Sequence, residues 1–230
     1  MRIRATATAA AVLGAVALSA LAAPVAQAAP AAAGPKVTFS KVKIAKTLVV
    51  GASGKASFPV TYTVTKPAKL SAKSFESGPA IYRGTAMSKA TDVFISEDPG
   101  TCKTISSTVL SCSAAIVFDR EDNLLDNSQA GAWKVGALAV DAKGNVTLQG
   151  DLGSTKLLRQ AKLTADATPE PVKKGKTITV KGTLTRADWN TKKNVAYGSQ
   201  TVQLQFQKAG TKTWTTVKSV KTSAKGALSA

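Results

Sequence analysis

The chain has no histidine and only two cysteines among its 230 residues. Without histidine it can form neither a Ser-His-Asp triad nor a Cys-His pair, so these two kinds of nucleophilic catalysis are excluded. Zinc sites built from histidine or from clustered cysteines are excluded for the same reason. The remaining candidates for catalytic groups are carboxylates.

Aromatic and acidic residues are also scarce. Aromatics make up 5% of the chain, whereas Thr, Val, Ser and Lys are plentiful, and this composition is typical of thin β-sandwiches closed by aliphatic side chains. The 31 Lys and Arg outnumber the 13 Asp and Glu, which gives a net charge of +18, and only six of the basic residues are Arg. Such a charge either keeps an exported protein soluble or attracts anionic polymers outside the cell. Lysine lacks the planar fork that reads bases, so no specific nucleic acid is expected.

The N-terminus predicts a cleaved export signal. Two arginines in the first four residues precede an apolar, Ala-rich run from Ala9 to Ala23, and Ala26-Gln27-Ala28 supplies the small residues of a cleavage site. We therefore expect a signal peptide at 1–28, a flexible Ala/Pro/Gly spacer at 29–35, and a secreted mature chain. The alternative is a membrane anchor, but the run is about 15 residues long and a spanning helix needs about 20. No later segment predicts a transmembrane helix.

The two cysteines, Cys102 and Cys112, are ten positions apart. In an oxidising compartment such a pair is expected to form a disulfide. Folding the intervening segment about residues 106–108 places the two cysteines opposite one another across a hairpin. Closing so short a loop would contribute roughly 2 to 3 kcal/mol in the chain-entropy account.

The clearest β pattern lies at residues 130–147. Trp133, Val135, Ala137 and Ala139 recur at period two, which places them on one face of a strand, and we expect that face, including Trp133, to be buried. The segment 141–145 then supplies turn residues that reverse the chain into a second strand. Other alternating or apolar segments raise the expected number of strands before residue 160 to about seven, at 37–44, 58–64, 80–82, 92–95, 114–118, 133–140 and 146–148.

The first of these strands changes phase along its length. Val37 and Phe39 share one face, whereas Val42 and Ile44 share the other. A strand cannot bury both pairs on the same side unless one extra residue is inserted. The pattern therefore predicts a bulge near residues 40 and 41.

The last seventy residues, 161–230, form a second β-rich segment. Four strands are predicted near 161–167, 178–184, 202–206 and 214–220, with turns at 173–176 and 223–226. A complete sandwich of about 100 residues needs about seven strands. We therefore expect this second domain to be truncated at its C-terminus, either because the chain is a fragment or because the missing strands come from elsewhere.

Two sequence patterns are similar to a known kind of module. The Trp-x-Val strand leading into Asp-x-x-Gly-Asn resembles the last hairpin of the immunoglobulin-like modules repeated in bacterial surface and secreted proteins. The pattern Gly-Lys-x-Ile-x-Val-x-Gly-x-Leu at 175–184, followed by Val-x-Leu-x-Phe, resembles the same modules. The resemblance implies an all-β chain of two tandem immunoglobulin-like β-sandwiches, 36–160 with the disulfide and 161–230. It implies no substrate.

One loop concentrates carboxylates, namely Asp119, Glu121, Asp122 and Asp126. Calcium binds six to eight oxygen ligands, so a calcium site of the sandwich-loop kind is one prediction for this loop. The helix-loop-helix calcium motif is excluded, because Leu124 stands where glycine is required and Ala130 where the bidentate glutamate is required. A polysaccharide hydrolase with a carboxylate pair is a second prediction, and a plain solvated loop is a third. No other cofactor is expected.

The function that we expect is non-enzymatic binding or scaffolding outside the cell, in association with the cell wall. Lys173, Lys174 and Lys176 lie in one turn and Lys192 and Lys193 in another, and they would form a basic rim that binds anionic cell-envelope polymers. Residues 166–230 carry +9, whereas the longer segment 29–165 carries +7. An accessory carbohydrate-binding module is the alternative, although aromatic platforms for sugars are few.

Overall fold

The computed structural model describes residues 33–122, 125–173 and 175–230, which form β-strands joined by turns and by four short 3-10 helices. The predicted signal peptide at 1–28 and most of the spacer at 29–35 lie outside these residues. No helix in the described part of the chain is long and apolar enough to span a bilayer. The all-β prediction is confirmed.

Nine of the described strands lie before residue 160. They are β1 (Thr38–Lys43), β2 (Thr47–Val50), β3 (Lys55–Thr65), β4 (Phe75–Arg83), β5 (Asp92–Ile95), β6 (Thr101–Ser106), β7 (Val109–Asp119), β8 (Gly131–Asp141) and β9 (Val146–Arg159). The 3-10 helices are Ala72–Ser74, Met87–Lys89, Arg120–Asp122 and Asn127–Gln129. Six more strands follow: β10 (Ala161–Thr168), β11 (Thr179–Asp188), β12 (Lys193–Ala196), β13 (Thr201–Gln207), β14 (Trp214–Lys221) and β15 (Ala227–Ser229).

Within the described residues, the strands form four sheets. One has the order β1-β3-β7-β6 and a second has the order β2-β9-β8-β4-β5, in which β2 and β9 run parallel. In a third sheet β11 pairs with β10 on one side and with β12 and β15 along the other. The fourth is the two-stranded sheet β13-β14.

The chain divides into two compact units, each drawn from three segments. The described part of the first unit comprises 33–44, 59–116 and 133–154. Its core joins side chains of β1, β3 and β7 to side chains of β4 and β8, so two sheets face one another as a β-sandwich. The core residues are Val37, Phe39, Tyr62, Val64, Phe75, Leu110, Cys112, Ala137 and Ala139.

The hairpin and the disulfide of the first unit are as predicted. β8 and β9 are neighbours in one sheet, and the backbone N–H of Gly144 donates to the carbonyl of Asp141 in the turn between them, at 2.9 Å. Trp133, predicted on the buried face of β8, is 2% exposed. Cys102 and Cys112 are bonded and lie directly opposite each other on β6 and β7. The register of β1 against β3 shifts between residues 40 and 43, which confirms the predicted bulge.

The predicted strand counts are wrong in both halves of the chain. Before residue 160 the structure has nine strands instead of about seven, because β2 and β6 were not counted. After residue 160 it has six strands instead of four, because β12 and β15 were missed. These two strands have four and three residues, too few for an alternating pattern, and their pairing with β11 fixes them.

The second unit comprises 45–58, 117–132 and 155–230. Few of its side chains beyond residue 160 are fully buried, and the largest is Trp189, which is 1% exposed. The Trp189 indole Nε1 donates to the carbonyl of Val50 at 3.2 Å, and its backbone N–H donates to Asn127 Oδ1 at 2.9 Å. Both partners lie outside 161–230. The predicted division into continuous domains, 36–160 and 161–230, stays a prediction.

Candidate polyanion-binding surface

The first group of predicted polyanion-binding lysines lies in the turn between β10 and β11. β10 ends at Thr168, and the Pro residues at 169 and 171 prevent its continuation because proline lacks a backbone N–H. Lys173 and Lys176 are exposed and are joined by a hydrogen bond from the backbone N–H of Lys176 to the carbonyl of Lys173, at 3.1 Å. Gly175 between them has φ +84°, a conformation that favours glycine. Lys174 lies outside the described residues.

The second group lies in the turn between β11 and β12. The Asp188 carboxylate closes this turn by accepting the backbone N–H of Thr191 at 2.9 Å, and this bond is the main cause of its lowered pKa. Lys193 is the cross-strand partner of Asp188, whose carboxylate forms an ion pair with Arg159 at 3.8 Å. Lys192 donates through Nζ to the carbonyl of Glu121 at 3.3 Å. Lys192 is therefore partly engaged within the protein, whereas Lys193 is exposed.

The structure does not bring the two lysine turns together. One turn joins β11 at Thr179 and the other leaves it at Asp188, so the length of β11 separates them. Nine residue steps of an extended strand amount to about 30 Å. The two turns therefore do not form one continuous basic rim, and polyanion binding at these lysines stays a prediction. The sequence shows that both groups are turns, but it does not show which end of a strand each turn occupies.

A different basic segment emerges at the end of the chain. From residue 189 to residue 230 the sequence has seven lysines and no Asp or Glu. Five of these lysines lie on or next to β13, β14 and β15 and are exposed: Lys208, Lys212, Lys218, Lys221 and Lys225. No carboxylate of this segment offsets their charge. The absence of acids after Asp188 is a sequence signal that could have identified them.

The acidic loop predicted as a calcium or hydrolase site has other structural roles. Asp119 forms an ion pair with Lys55 at 3.3 Å and accepts the backbone N–H of Glu121 at 3.0 Å. Asp126 caps the 3-10 helix at 127–129 by accepting the backbone N–H and the hydroxyl of Ser128. Among the residues described here, no three Asp, Glu, Cys or His side chains form a group that could hold a metal ion. Glu121 and Asp122 are exposed to solvent.

The basic residue inside that acidic run, Arg120, is 1% exposed. Its guanidinium donates to two backbone carbonyls, from Nη1 to Leu125 at 3.1 Å and from Nη2 to Trp189. Burial lowers the pKa of Arg120, because removal from water disfavours the charged form. No sequence pattern predicts a buried arginine at this position. Arg120 fastens the acidic loop to the end of β11 within the second unit.

A further charged cluster lies in the described part of the first unit. Lys134 Nζ pairs with Asp151 Oδ1 at 2.8 Å, and the buried Tyr82 hydroxyl donates to the same oxygen at 3.2 Å. These hydrogen bonds, with that of Lys134 the largest cause, lower the pKa of Asp151. The Asp151 backbone N–H donates back to Tyr82 at 3.0 Å. Lys134, Asp151 and Tyr82 therefore hydrogen bond with one another, and these bonds link β4, β8 and β9.

Comparison with known proteins identifies no family for this chain. No protein family and no curated protein sequence matches the chain. Among solved structures, the chain is similar to AggA, the major subunit of aggregative adherence fimbriae type I from Escherichia coli, with 10% identity and a TM-score of 0.24. That similarity covers 54% of this chain and 96% of AggA. The all-β architecture therefore rests on the strands and pairings of the chain itself.

Proposed function

We propose that the protein is an exported, non-enzymatic binding or scaffolding protein, built of immunoglobulin-like β-sandwiches, that associates with anionic polymers of the cell envelope. One observation carries the proposal: residues 189–230 hold seven lysines and no acidic residue. Most of these side chains are exposed on strands and turns. Such a surface attracts polyanions through many weak, non-directional contacts.

The predicted export signal and the disulfide support a location outside the cell. Disulfides persist in oxidising compartments and are rare in the cytosol. The sandwich of the first unit, with its disulfide across β6 and β7 and its buried Trp133, supports an immunoglobulin-like fold. Asp119 and Asp126 already bind other groups of the protein, which disfavours the hydrolase alternative.

A matched pair of variants tests where the polyanion binds. The first changes the five exposed lysines Lys208, Lys212, Lys218, Lys221 and Lys225 to glutamine. The second changes five exposed lysines of the first unit in the same way: Lys36, Lys69, Lys73, Lys89 and Lys103. Both variants lose the same net charge, so a general charge effect would weaken them equally.

Retention on isolated anionic cell-wall polymer is the measurement. The first variant should be retained less than the second, because only its lysines lie in a segment without carboxylates. Equal retention of the two variants would indicate that the lysine charge keeps the protein soluble and does not form a binding surface. Polysaccharide hydrolysis that is abolished by Asp119→Asn would instead establish the enzyme alternative.

A further inference from the structure

The two-stranded sheet β13-β14 has one face made almost entirely of polar side chains. Residues opposite each other in an antiparallel pair point to the same side of the sheet. The register therefore groups three glutamines of β13 with the partners of these residues on β14. We call this surface the glutamine face; its members are Thr201, Gln203, Gln205, Gln207, Trp214, Thr216, Ser219 and Lys221. All are exposed except Gln207, which is partly exposed.

A large aromatic side chain stands at one end of the glutamine face. Trp214 is 58% exposed, whereas the other tryptophans, Trp133 and Trp189, are buried. Trp214 lies opposite Gln207, and the next cross-strand pair on the same face joins Gln205 to Thr216. An exposed indole beside amides and hydroxyls combines an apolar ring with hydrogen-bonding groups. This combination is typical of surfaces that recognise ligands with one apolar face and many hydroxyl groups.

We propose that the glutamine face binds an extended anionic glycan, an inference that rests on the proposed function and names its ligand class. The Trp214 ring would stack on a pyranose ring, and the glutamine amides, which both donate and accept, would hydrogen bond with sugar hydroxyls. Alternate residues of β13 place Gln203 and Gln207 about 14 Å apart, the length of a short run of pyranose rings. Lys221 lies on the same face and would pair with acidic substituents.

The charge of the segment argues against other occupants. A second copy of the chain would bring the seven lysines of residues 189–230 against another seven, with no carboxylate in either segment to offset them. A lipid bilayer would require apolar side chains on the docking face, but its members other than Trp214 are amides, hydroxyls and one lysine. An anionic, hydroxyl-rich polymer fits both the charge and the hydrogen-bonding groups.

The hairpin offers its own control for an aromatic variant. Phe206 is 61% exposed and pairs with Thr215, one position along from the pair of Gln207 and Trp214. Because successive residues of a strand point to opposite faces, Phe206 lies on the other side of the sheet. We therefore compare Trp214→Ala with Phe206→Ala. Gln203→Ala combined with Gln205→Ala is a second test that leaves both aromatics in place.

Three polymers separate ring stacking from charge. Carboxymethylcellulose has pyranose rings and charge, hydroxyethylcellulose has the same rings without charge, and polyphosphate has charge without rings. Binding of the full-length mature protein to each is measured by isothermal titration at low salt, after thermal melts have shown that the variants fold. For carboxymethylcellulose, Trp214→Ala should raise the dissociation constant at least about tenfold, as the loss of an aromatic anchor does. The double glutamine variant should also raise this dissociation constant.

The same variants should bind polyphosphate as the unmodified protein does, and Phe206→Ala should bind carboxymethylcellulose normally. Equal binding of carboxymethylcellulose by Trp214→Ala and the unmodified protein would overturn the glycan inference. Binding of polyphosphate without binding of carboxymethylcellulose would also overturn it, while leaving the proposed function intact. Failure to bind either anionic polymer would overturn both.

Discussion

Replacing Trp189 with alanine should destabilise the second unit strongly. The Trp189 side chain is completely buried, and its indole N–H bonds to the carbonyl of Val50. Truncation removes the ring and leaves a cavity, a change that costs about 3 to 5 kcal/mol for a buried tryptophan. The Val50 carbonyl also loses its indole donor. Against a typical unfolding free energy of about 5 to 15 kcal/mol, the loss would remove a large share of the stability.

Trp214→Ala is the matched control, since it removes the same side chain from an exposed position. Its effect on the unfolding free energy should lie within about 0.5 kcal/mol. Urea unfolding followed by circular dichroism, with the disulfide intact, gives both values. Trp189→Phe should fall between them, because it keeps an aromatic ring but loses the N–H donor. Equal destabilisation by Trp189→Ala and Trp214→Ala would refute the assignment of Trp189 to the core.

Three further predictions concern the disulfide, the hairpin turn and the last seventy residues. Reducing the Cys102–Cys112 bond should lower the unfolding free energy of the first unit by roughly 2 to 3 kcal/mol, as measured by urea unfolding with and without reductant. Hydrogen bonds from Asn145 are the main cause of the lowered pKa of Asp141, so its stabilisation is present above the ordinary aspartate pKa and is lost as pH falls through the lowered value. The difference in melting temperature between Asp141→Ala and the unmodified protein should therefore shrink in acid. An isolated 161–230 fragment should show no cooperative melt, because Trp189 loses Val50, Asn127 and Arg120; a two-state melt of the monomer would contradict this.

Alternation at period two predicted several of the longer strands, because a strand such as β3 buries one face and leaves the other exposed to solvent. The hairpin of β8 and β9, the bulge in β1 and the cysteine pair all follow from local spacing. Local spacing did not predict the short strands. For example, β15 has three residues and is defined by its pairing with β11. Local patterns specify a strand only when it is long enough to show its period.

The candidate site was harder to predict because strand ends and bulges determine where side chains meet. In a regular strand Trp214 would share a face with Val220. The register shift in the hairpin leaves an extra residue on β14, so Trp214 instead joins the glutamine face. Sequence alone could not tell that Trp214 is exposed and Trp189 is buried. The burial of Arg120, which lies between acidic residues in the sequence, was hidden for a related reason, because its partners are backbone carbonyls.

Salt dependence of binding tests the central claim most directly. Purified mature protein is passed over immobilised anionic cell-wall polymer at increasing sodium chloride, and the association constant is plotted against salt on logarithmic axes. If many exposed lysines carry the contact, binding is strong at low salt, falls linearly on this plot and is lost by a few hundred millimolar through screening and counterion release. Retention that does not change with salt, or no retention at low salt, would contradict polyanion binding.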